Sequence, residues 1–248
     1  MLPKLFRLLK LIVYWIDHGV FTLIMYLLTF LPRALLARFY PRLFRLWSMS
    51  FVHALDVDLR LLQNHRKPLP EHFLMIGNHP SAFEDIGIPA LFDVASVAKH
   101  EVKDWWIVGR ISAAAGTLFV VRDSKDSRTA VFQQVIDELG RGKNIALYPE
   151  GGCKGRAIAP FRYGVFDISL QTGIPIVPVF LHYEAQDVFE WRAPQTLLNK
   201  IWHFLTSPNN RANYYVFDAI DPRGFDSKED YCDHVHKLYL QWQTKYLE

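Results

Sequence analysis

One stretch, residues 11–31, constrains this chain before anything else: it is apolar for twenty-one residues, interrupted only by Asp17, His18 and a few small or neutral polar side chains. That length matches the roughly 20 residues a helix needs to cross the hydrocarbon of a bilayer. It is too long for the apolar region of a signal peptide, and no small-x-small cleavage site follows it closely. Asp17 and His18 sit near its middle, where an ionised side chain is costly. Basic residues flank it on both sides, so the positive-inside rule assigns no orientation. Residues 34–51 then read as an amphipathic helix, broken or bent at Pro41. Arg38, Arg42 and Arg45 recur there at three- and four-residue spacing, with Leu, Phe and Trp47 between them. Such a segment lies in the interface with its arginines toward headgroups. Two arrangements fit: a helical hairpin dipping into one leaflet, or a single span followed by a surface helix. The hairpin is preferred, and the arginine bracketing disfavours a buried helix of a soluble domain.

Charge supports this division. Of 28 basic and 25 acidic side chains, seven basic ones (Lys4, Arg7, Lys10, Arg33, Arg38, Arg42, Arg45) and a single acid, Asp17, fall in the first fifty residues. The remainder, with 21 basic and 24 acidic residues, is mildly acidic. A cationic, apolar end on an acidic body points to an anionic membrane surface. Nucleic acid would want the positive field on the folded domain, and is not expected as a partner. The two cysteines, Cys153 and Cys232, lie too far apart for a disulfide framework or an unaided metal cluster. That usage suits a reducing compartment. The organisation expected is residues 1–55 as membrane-anchoring helices and residues 56–248 as an α/β domain.

Beyond about His72 short apolar runs alternate with helical patterns. Residues 73–76, 94–98, 117–121, 144–148, 174–182 and 214–219 read as strands. Residues 127–139 place Val131, Phe132, Val135, Ile136 and Leu139 on one helical face and end at Gly140. A second helix, residues 162–172, is closed by Gly173 and Pro175. The last begins at Ser227 with Asp230 three residues on, a capping box, and carries Val235, Leu238, Tyr239 and Trp242 on one stripe. Half the side chains are hydrophobic, enough for a sizeable core. The fold class expected is therefore α/β, a sheet covered by helices.

The segment richest in chemistry is Gly77-Asn78-His79-Pro80-Ser81-Ala82-Phe83-Glu84-Asp85, directly after a strand. A histidine at a strand's carboxyl end faces the region where open α/β sheets bind ligands. An ordinary imidazole can take a proton from a hydroxyl at neutral pH. A carboxylate a few residues on can hold its other nitrogen and stabilise the imidazolium. A lone histidine followed by an acid is more often structural than catalytic, so the motif needs company.

It has company. Asn78, His79, Ser81 and Glu84 match the first block of the lysophospholipid (glycerolipid) acyltransferase family, which the sequence resembles and whose best-known members make phosphatidic acid from lysophosphatidic acid. The family's acid is usually Asp five residues after the histidine, with Glu a variant; distant members place it six residues after, which would select Asp85. Glu84 is the first choice and Asp85 stays open. Lys99 stands where the family often has a lysine. Gly116-Thr117-Leu118-Phe119-Val120-Val121-Arg122 looks like the second block, Tyr148-Pro149-Glu150-Gly151-Gly152 like the third, and Ile176-Val177-Pro178-Val179 like the fourth. The resemblance covers roughly residues 70–182.

The resemblance implies a mixed sheet of the glycerolipid acyltransferase kind and a membrane-associated enzyme. In a bacterium it would sit on the inner membrane with the site facing the cytoplasm. The activity implied is transfer of a fatty acyl group from acyl-CoA or an acyl carrier protein to a lysophospholipid hydroxyl, with 1-acylglycerol-3-phosphate the first candidate acceptor. His79 would be the base and Glu84 or Asp85 its partner. Asn78, Ser81, Lys99, Arg122, Glu150, Gly151 and Lys154 would serve substrate binding. No metal or redox cofactor is implied, the thioester being a co-substrate. Arg122 offers a planar, permanently charged fork suited to phosphate, or else a surface ion pair with Asp123 or Asp126. Glu150 would bind acceptor hydroxyls, orient basic residues, or cap a turn. Backbone amides around residues 77–80 or Gly151 would steady an oxyanion.

One departure stands out. After Pro-Glu-Gly the family commonly has Thr-Arg-Ser, and here Gly152-Cys153-Lys154 replaces it, with Arg156 and Arg162 nearby. This opens the acceptor's identity: an amino-acid-based or sugar-based lysolipid is the alternative. Thiolates attack thioesters readily, but nothing in the sequence brings Cys153 to His79, and a buried inert thiol is the expectation. A thioester hydrolase using His79 on water is a further alternative. No Gly-x-Ser-x-Gly elbow supports its serine-dependent form.

Overall fold

The computed structural model describes residues 2–190 and 195–247; the side chains of Lys4 and Arg33, counted above among the flanking cations, lie outside that description. The apolar stretch belongs to one long helix, α1 (Leu2–Leu28), followed by a single turn, α2 (Arg33–Leu36), and by α3 (Tyr40–Ala54). The break expected at Pro41 is present: α2 ends at Leu36 and α3 starts at Tyr40, with Pro41 in its first turn. There a missing N–H costs nothing, so proline starts helices.

α1 runs antiparallel along α3. At its start Arg7 Nε and Lys10 Nζ donate to Asp56, just past α3, at 2.7 and 2.9 Å. Further along, His18 Nδ1 lies 2.9 Å from Ser50 Oγ, and Trp47 Nε1 donates to Thr22 Oγ1 at 2.8 Å. Near its end the Tyr40 hydroxyl donates to the Met25 carbonyl at 2.8 Å. Leu11, His18 and Met25, seven residues apart, are the buried stripe. The opposite face (Leu9, Ile12, Val13, Ile16, Val20, Leu23, Leu27) is apolar and exposed. An apolar stripe on the far side of a helix from its packing partner is what a lipid-facing helix presents. α3 in turn packs against α4 (Glu84–Leu91), so the hairpin is built onto the body rather than hung from it.

The body is a seven-stranded mixed sheet: β1 (Asp58–Gln63), β2 (Leu74–Gly77), β3 (Ala95–Lys99), β4 (Leu118–Val120), β5 (Ile145–Leu147), β6 (Ile176–Tyr183) and β7 (Arg211–Val216), in the order β1-β7-β6-β2-β5-β3-β4. β6, β2, β5, β3 and β4 are parallel; β7 is antiparallel to β6, and β1 parallel to β7. The expected α/β architecture is present. Six of the strands lie on or within a few residues of the expected positions, β7 starting three residues early. β1 was not expected. Its alternation of Asp58 and Arg60 with Leu59 and Leu61 is too short to stand out, and Leu62 interrupts it.

Period-two alternation of side chains sends successive residues of the central strands to opposite faces. Leu74 and Ile76 meet α6 (Lys125–Gly140), α7 (Gly164–Thr172) and α10 (Lys228–Leu247) through Val135, Phe166 and Tyr239. Met75 joins the other core, with Val52 of α3 and Ile88 of α4. That second face also receives the short α8 (Gln186–Phe189) and α9 (Leu197–Thr206) through Phe189 and Phe204. The caps behave as expected: Gly173 closes α7 at φ +69°, and Ser227 Oγ accepts from the Asp230 N–H at 3.1 Å. α5 (Trp106–Ala115) joins the hairpin, Ile111 packing with Tyr40, Phe44 and Trp47.

Candidate active site

Because β2, β4 and β5 are parallel, their carboxyl ends open on one edge of the sheet, and the segments after them meet there. β2 leaves the sheet through Asn78, whose side-chain amide imitates backbone: Nδ2 donates to the Leu181 carbonyl at 2.9 Å and Oδ1 accepts from the Leu181 N–H at 2.7 Å. That extends the pairing with β6 by one residue and fixes where the chain turns. Asn78 is thus committed to the scaffold.

His79 follows, 3 % exposed. Its ring stacks on Tyr148 with centroids 4.4 Å apart. Its N–H donates to Glu150 Oε1 at 2.7 Å, while its carbonyl accepts from the Lys154 N–H at 2.9 Å. The segment after β5 therefore folds over the histidine and grips it from both sides. Glu150 Oε2 accepts from the Ala159 N–H at 2.8 Å, so both oxygens of this buried carboxylate hold backbone. Of the roles expected for Glu150, binding acceptor hydroxyls gives way to fixing the histidine loop. The His79 and Gly151 amides, expected as oxyanion donors, are spent on Glu150 and on the Tyr148 carbonyl.

Between the two candidate carboxylates the geometry decides. Glu84, fully buried in the first turn of α4, places Oε2 3.6 Å from His79 Nδ1. Its Oε1 accepts from the Ser81 N–H at 2.8 Å, and Oε2 has no other partner among the described residues. Asp85 makes no such contact; burial raises its pKa against the pull of His79 and Arg122. α4 reaches this position because Gly87 has no side chain: a Cβ there would lie 2.1 Å from the Tyr214 hydroxyl. Ser81 was expected to bind substrate. Its hydroxyl instead donates to the Phe189 carbonyl at 2.7 Å and accepts from the Phe83 N–H at 3.0 Å, both inside the protein.

Arg122 lies beside the third block, with Nη1 3.2 Å from where a Cβ on Gly152 would stand. Neither Asp123 nor Asp126 pairs with it among the described residues. Lys154 is exposed on the same loop. Lys99 is not brought in: it makes a surface ion pair with Glu101 at 2.5 Å. Gly151 takes φ +73° beneath Arg162, whose Nε would be 2.6 Å from a Cβ, so only glycine fits.

Sequence reasoning misplaced a further group. Cys153, expected to be a buried inert thiol remote from the histidine, is exposed, with Sγ 3.6 Å from His79 Nε2 and 3.9 Å from Nδ1. The sulfur also lies 3.1 Å from the Ser81 carbonyl. Gln186, whose Nε2 donates to the Pro80 carbonyl at 2.9 Å, was missed altogether, and Tyr148 was read as part of the third block but not as the ring stacked on His79. No spacing in the sequence announces a ring stack or a loop brace.

Burial presses the His79 imidazole toward its neutral form, but the Cys153 sulfur and the Glu84 carboxylate outweigh it and hold the pKa above the ordinary histidine value. Burial likewise raises Glu84, against the pull of His79. Both shifts agree in sense: the pair retains a proton more tightly than either group would in water.

Residues 59–182 match the family model described as Acyltransferase. This chain is a member of the acyltransferase family. The acyltransferase is 28 % identical over 205 residues to the lyso-ornithine lipid O-acyltransferase of Pseudomonas aeruginosa, covering 80 % of this chain and 78 % of that protein. It is 30 % identical over 134 residues to the 1-acyl-sn-glycerol-3-phosphate acyltransferase of Neisseria gonorrhoeae, covering 52 % and 51 % respectively. Its fold is that of the crystal structure of the 1-acyl-sn-glycerophosphate (LPA) acyltransferase PlsC from Thermotoga maritima, with a TM-score of 0.65 at 18 % identity over 98 % of this chain and 96 % of the other.

Proposed function

We propose that the acyltransferase moves a fatty acyl group from the thioester of acyl-CoA or an acyl carrier protein onto a lysophospholipid hydroxyl, with 1-acylglycerol-3-phosphate as the acceptor. What carries the reading is the contact of His79 Nδ1 with buried Glu84 at 3.6 Å, on the sheet edge where Arg122 also stands. In the reaction His79 takes the proton of the lysolipid hydroxyl as that oxygen attacks the acyl carbonyl. Glu84 stabilises the imidazolium so formed. Arg122 and Lys154 hold the acceptor's phosphate and set its hydroxyl in reach.

A second acceptor is favoured by one observation. Cys153 takes the place of the family's usual arginine, and the relative of Pseudomonas aeruginosa, which aligns over most of this chain, is named for lyso-ornithine lipid. An acceptor without phosphate would need fewer cations at residues 152–154. Incubating the protein with labelled acyl donor and a panel of lysophosphatidate, lyso-ornithine lipid and lyso-glycolipid decides, read by product mass. Acylated lysophosphatidate supports the first reading and acylated lyso-ornithine lipid the second; free fatty acid alone would make the protein a hydrolase.

The enzyme works lying on one leaflet, the hairpin arrangement preferred from sequence. Residues Leu5–Leu28 are long and apolar enough to cross a bilayer, with mean hydropathy 1.7. Yet α1 is fastened to the body near both ends, at Asp56 and at Tyr40, and upright insertion would draw α3 into the hydrocarbon. α9 supports the same placement. Leu198 and Trp202 are 76 % and 65 % exposed, and Trp202 and Leu205 line an apolar crevice of about 600 Å³ with Leu8, Ile12 and Trp15 of α1. In a bacterial cell the site would face the cytoplasm, where thioester donors are made.

A further inference from the structure

We propose that Arg162, which lies outside the four motif blocks, joins Arg122 in a two-arginine seat across Gly151-Gly152 that takes a phosphate monoester, so that the acceptor is the phosphate-bearing lysolipid. This rests on the acyltransferase reading above and names the residue that selects between its two acceptors.

The seat is built on adjacent glycines. Arg122 Nη1 lies 3.2 Å from where a Cβ on Gly152 would stand, and Arg162 Nε and Cζ lie 2.6 and 2.7 Å from where one on Gly151 would stand. Successive Cα atoms are about 3.8 Å apart, so the two guanidinium groups flank one short piece of chain. A side chain at either glycine would crowd one of them. Gly152-Cys153 stands where the family commonly has Thr-Arg. The first change opens the place that Arg122 occupies; the second removes a cation, which Arg162 restores from further along the loop.

Both arginines have fixed roots and free heads. Arg128 Nη1 donates to the Arg122 carbonyl at 2.6 Å, and the Val121 N–H donates to Ser127 Oγ at 3.0 Å, so the first turn of α6 braces the segment after β4. The Arg162 N–H donates to the Pro149 carbonyl at 2.9 Å, and Phe161 before it is buried against Phe166 and Tyr239. Yet among the described residues neither guanidinium donates to a carboxylate or a carbonyl. Arg156, on the same loop, shows the contrast: its Nη2 is spent on the Leu247 carbonyl at 2.7 Å. Anchored forks with unused donors suit an oxyanion.

Charge chooses which oxyanion. A phosphate monoester carries about 1.5 to 2 negative charges at neutral pH, which two guanidinium groups match. An ornithine headgroup offers a single carboxylate and an ammonium that two arginines repel. Position agrees. Cys153, next to Gly152, has its sulfur 3.6 Å from His79 Nε2, and Arg122 is near enough to pull on the Asp85 carboxyl. In 1-acylglycerol-3-phosphate only glycerol carbons separate the phosphate from the reacting hydroxyl, so a phosphate on this seat brings that hydroxyl to the ring.

The test uses the full chain on phosphatidylethanolamine–phosphatidylglycerol vesicles with palmitoyl-CoA, and with 1-acylglycerol-3-phosphate or lyso-ornithine lipid as acceptor. In Arg162→Ala the KM for 1-acylglycerol-3-phosphate should rise about 20-fold or more with kcat within about threefold of native, and Arg162→Lys should recover part of the loss. Arg156→Ala removes the same charge from the same loop and should leave that KM near native. Inorganic phosphate should compete with the acceptor on the native protein, against potassium chloride at equal ionic strength, and lose about tenfold or more of its potency in Arg162→Ala. Circular dichroism and vesicle binding check that each variant is folded. An unchanged KM in Arg162→Ala overturns the proposal, and so does an equal rise in Arg156→Ala, which would mean a diffuse field. Transfer to lyso-ornithine lipid alone overturns it too and leaves the acyltransferase reading standing. Transfer to neither acceptor removes both.

Discussion

Two histidines in this molecule share most of their surroundings and differ in what matters. His18, in the hairpin, is buried and stacked on Phe51 with centroids 4.6 Å apart; His79, at the strand ends, is buried and stacked on Tyr148 at 4.4 Å. Among the described residues the polar contacts of the His18 ring are hydroxyls, Ser50 at 2.9 Å and Thr22 at 3.5 Å. Burial therefore wins over the pull of Asp17, and its pKa falls to about 4. His79 touches a thiol and a carboxylate, and its pKa rises. Burial and stacking are common to a packing histidine and a base; the charge of the partners separates them.

The sharpest way to break the comparison is to delete each ring. His79→Ala should lower kcat by about 10³-fold, within the range of general-base contributions, while vesicle binding stays near native and stability falls by no more than in the matching His18 change. His18→Ala should leave kcat unchanged and cost about 1–2 kcal/mol of stability, from lost packing and one buried hydrogen bond. A kcat loss in the second variant, or an active first one, would remove the distinction.

The next largest effect concerns the proton. Because the His79 pKa is raised, the base-competent neutral ring is scarce at neutral pH and grows as pH rises. kcat/KM should therefore still climb between pH 7 and 9, where an ordinary histidine would already have levelled. Glu84→Gln removes one cause of the rise, so the limb should move to lower pH with a plateau about 10²-fold down. Ser50→Ala, the matching change beside His18, should move nothing. A limb that stays in place in Glu84→Gln would separate Glu84 from the base.

A smaller effect tests how the site is held. Gly87→Ala sets a methyl against the Tyr214 hydroxyl, itself 3.1 Å from that of Tyr183, in a packed core. It should cost about 1–3 kcal/mol by denaturant unfolding and lower kcat by displacing Glu84. Smallest for catalysis, and confined to the apolar side, is Leu198→Glu with Trp202→Glu. This pair should weaken vesicle partitioning about tenfold or more and leave turnover of a monomeric short-chain donor and acceptor near native. Unchanged partitioning would take α9 off the membrane face.

The sequence disclosed those parts whose signal is local. The apolar run of α1, the strand preceding His79, the Gly173 stop and the Ser227 cap each depend on neighbours within a few residues. β1 was hidden because its alternation of charged and apolar residues, Asp58-Leu59-Arg60-Leu61, lasts only four residues before Leu62 breaks it. α4 was hidden because eight residues containing Gly87 and Pro89 show no helical period, although that glycine is what lets the helix approach the sheet. In the site, the motif spacing named His79 and preferred Glu84 but left Asp85 open, since adjacent residues on a helix point about 100° apart and only the built helix tells which faces the ring. Cys153 was misjudged for the same reason. Its proximity to His79 is made by Glu150 gripping the His79 amide across 71 residues, a contact no local pattern encodes.

Asp56 closes the account of the hairpin. It is the one described non-glycine residue at positive φ, +55°, and its carboxylate receives both Arg7 and Lys10 where α3 gives way to β1. With the enzyme lying on one leaflet as proposed, a corner pinned in this way would couple α1 to the sheet and hold His79 at a set altitude over the lipid headgroups. On that placement, selectivity among acceptors would become partly a matter of reach: a lysolipid whose hydroxyl rises to that altitude would be acylated, and one whose hydroxyl stays lower passed over whatever its charge.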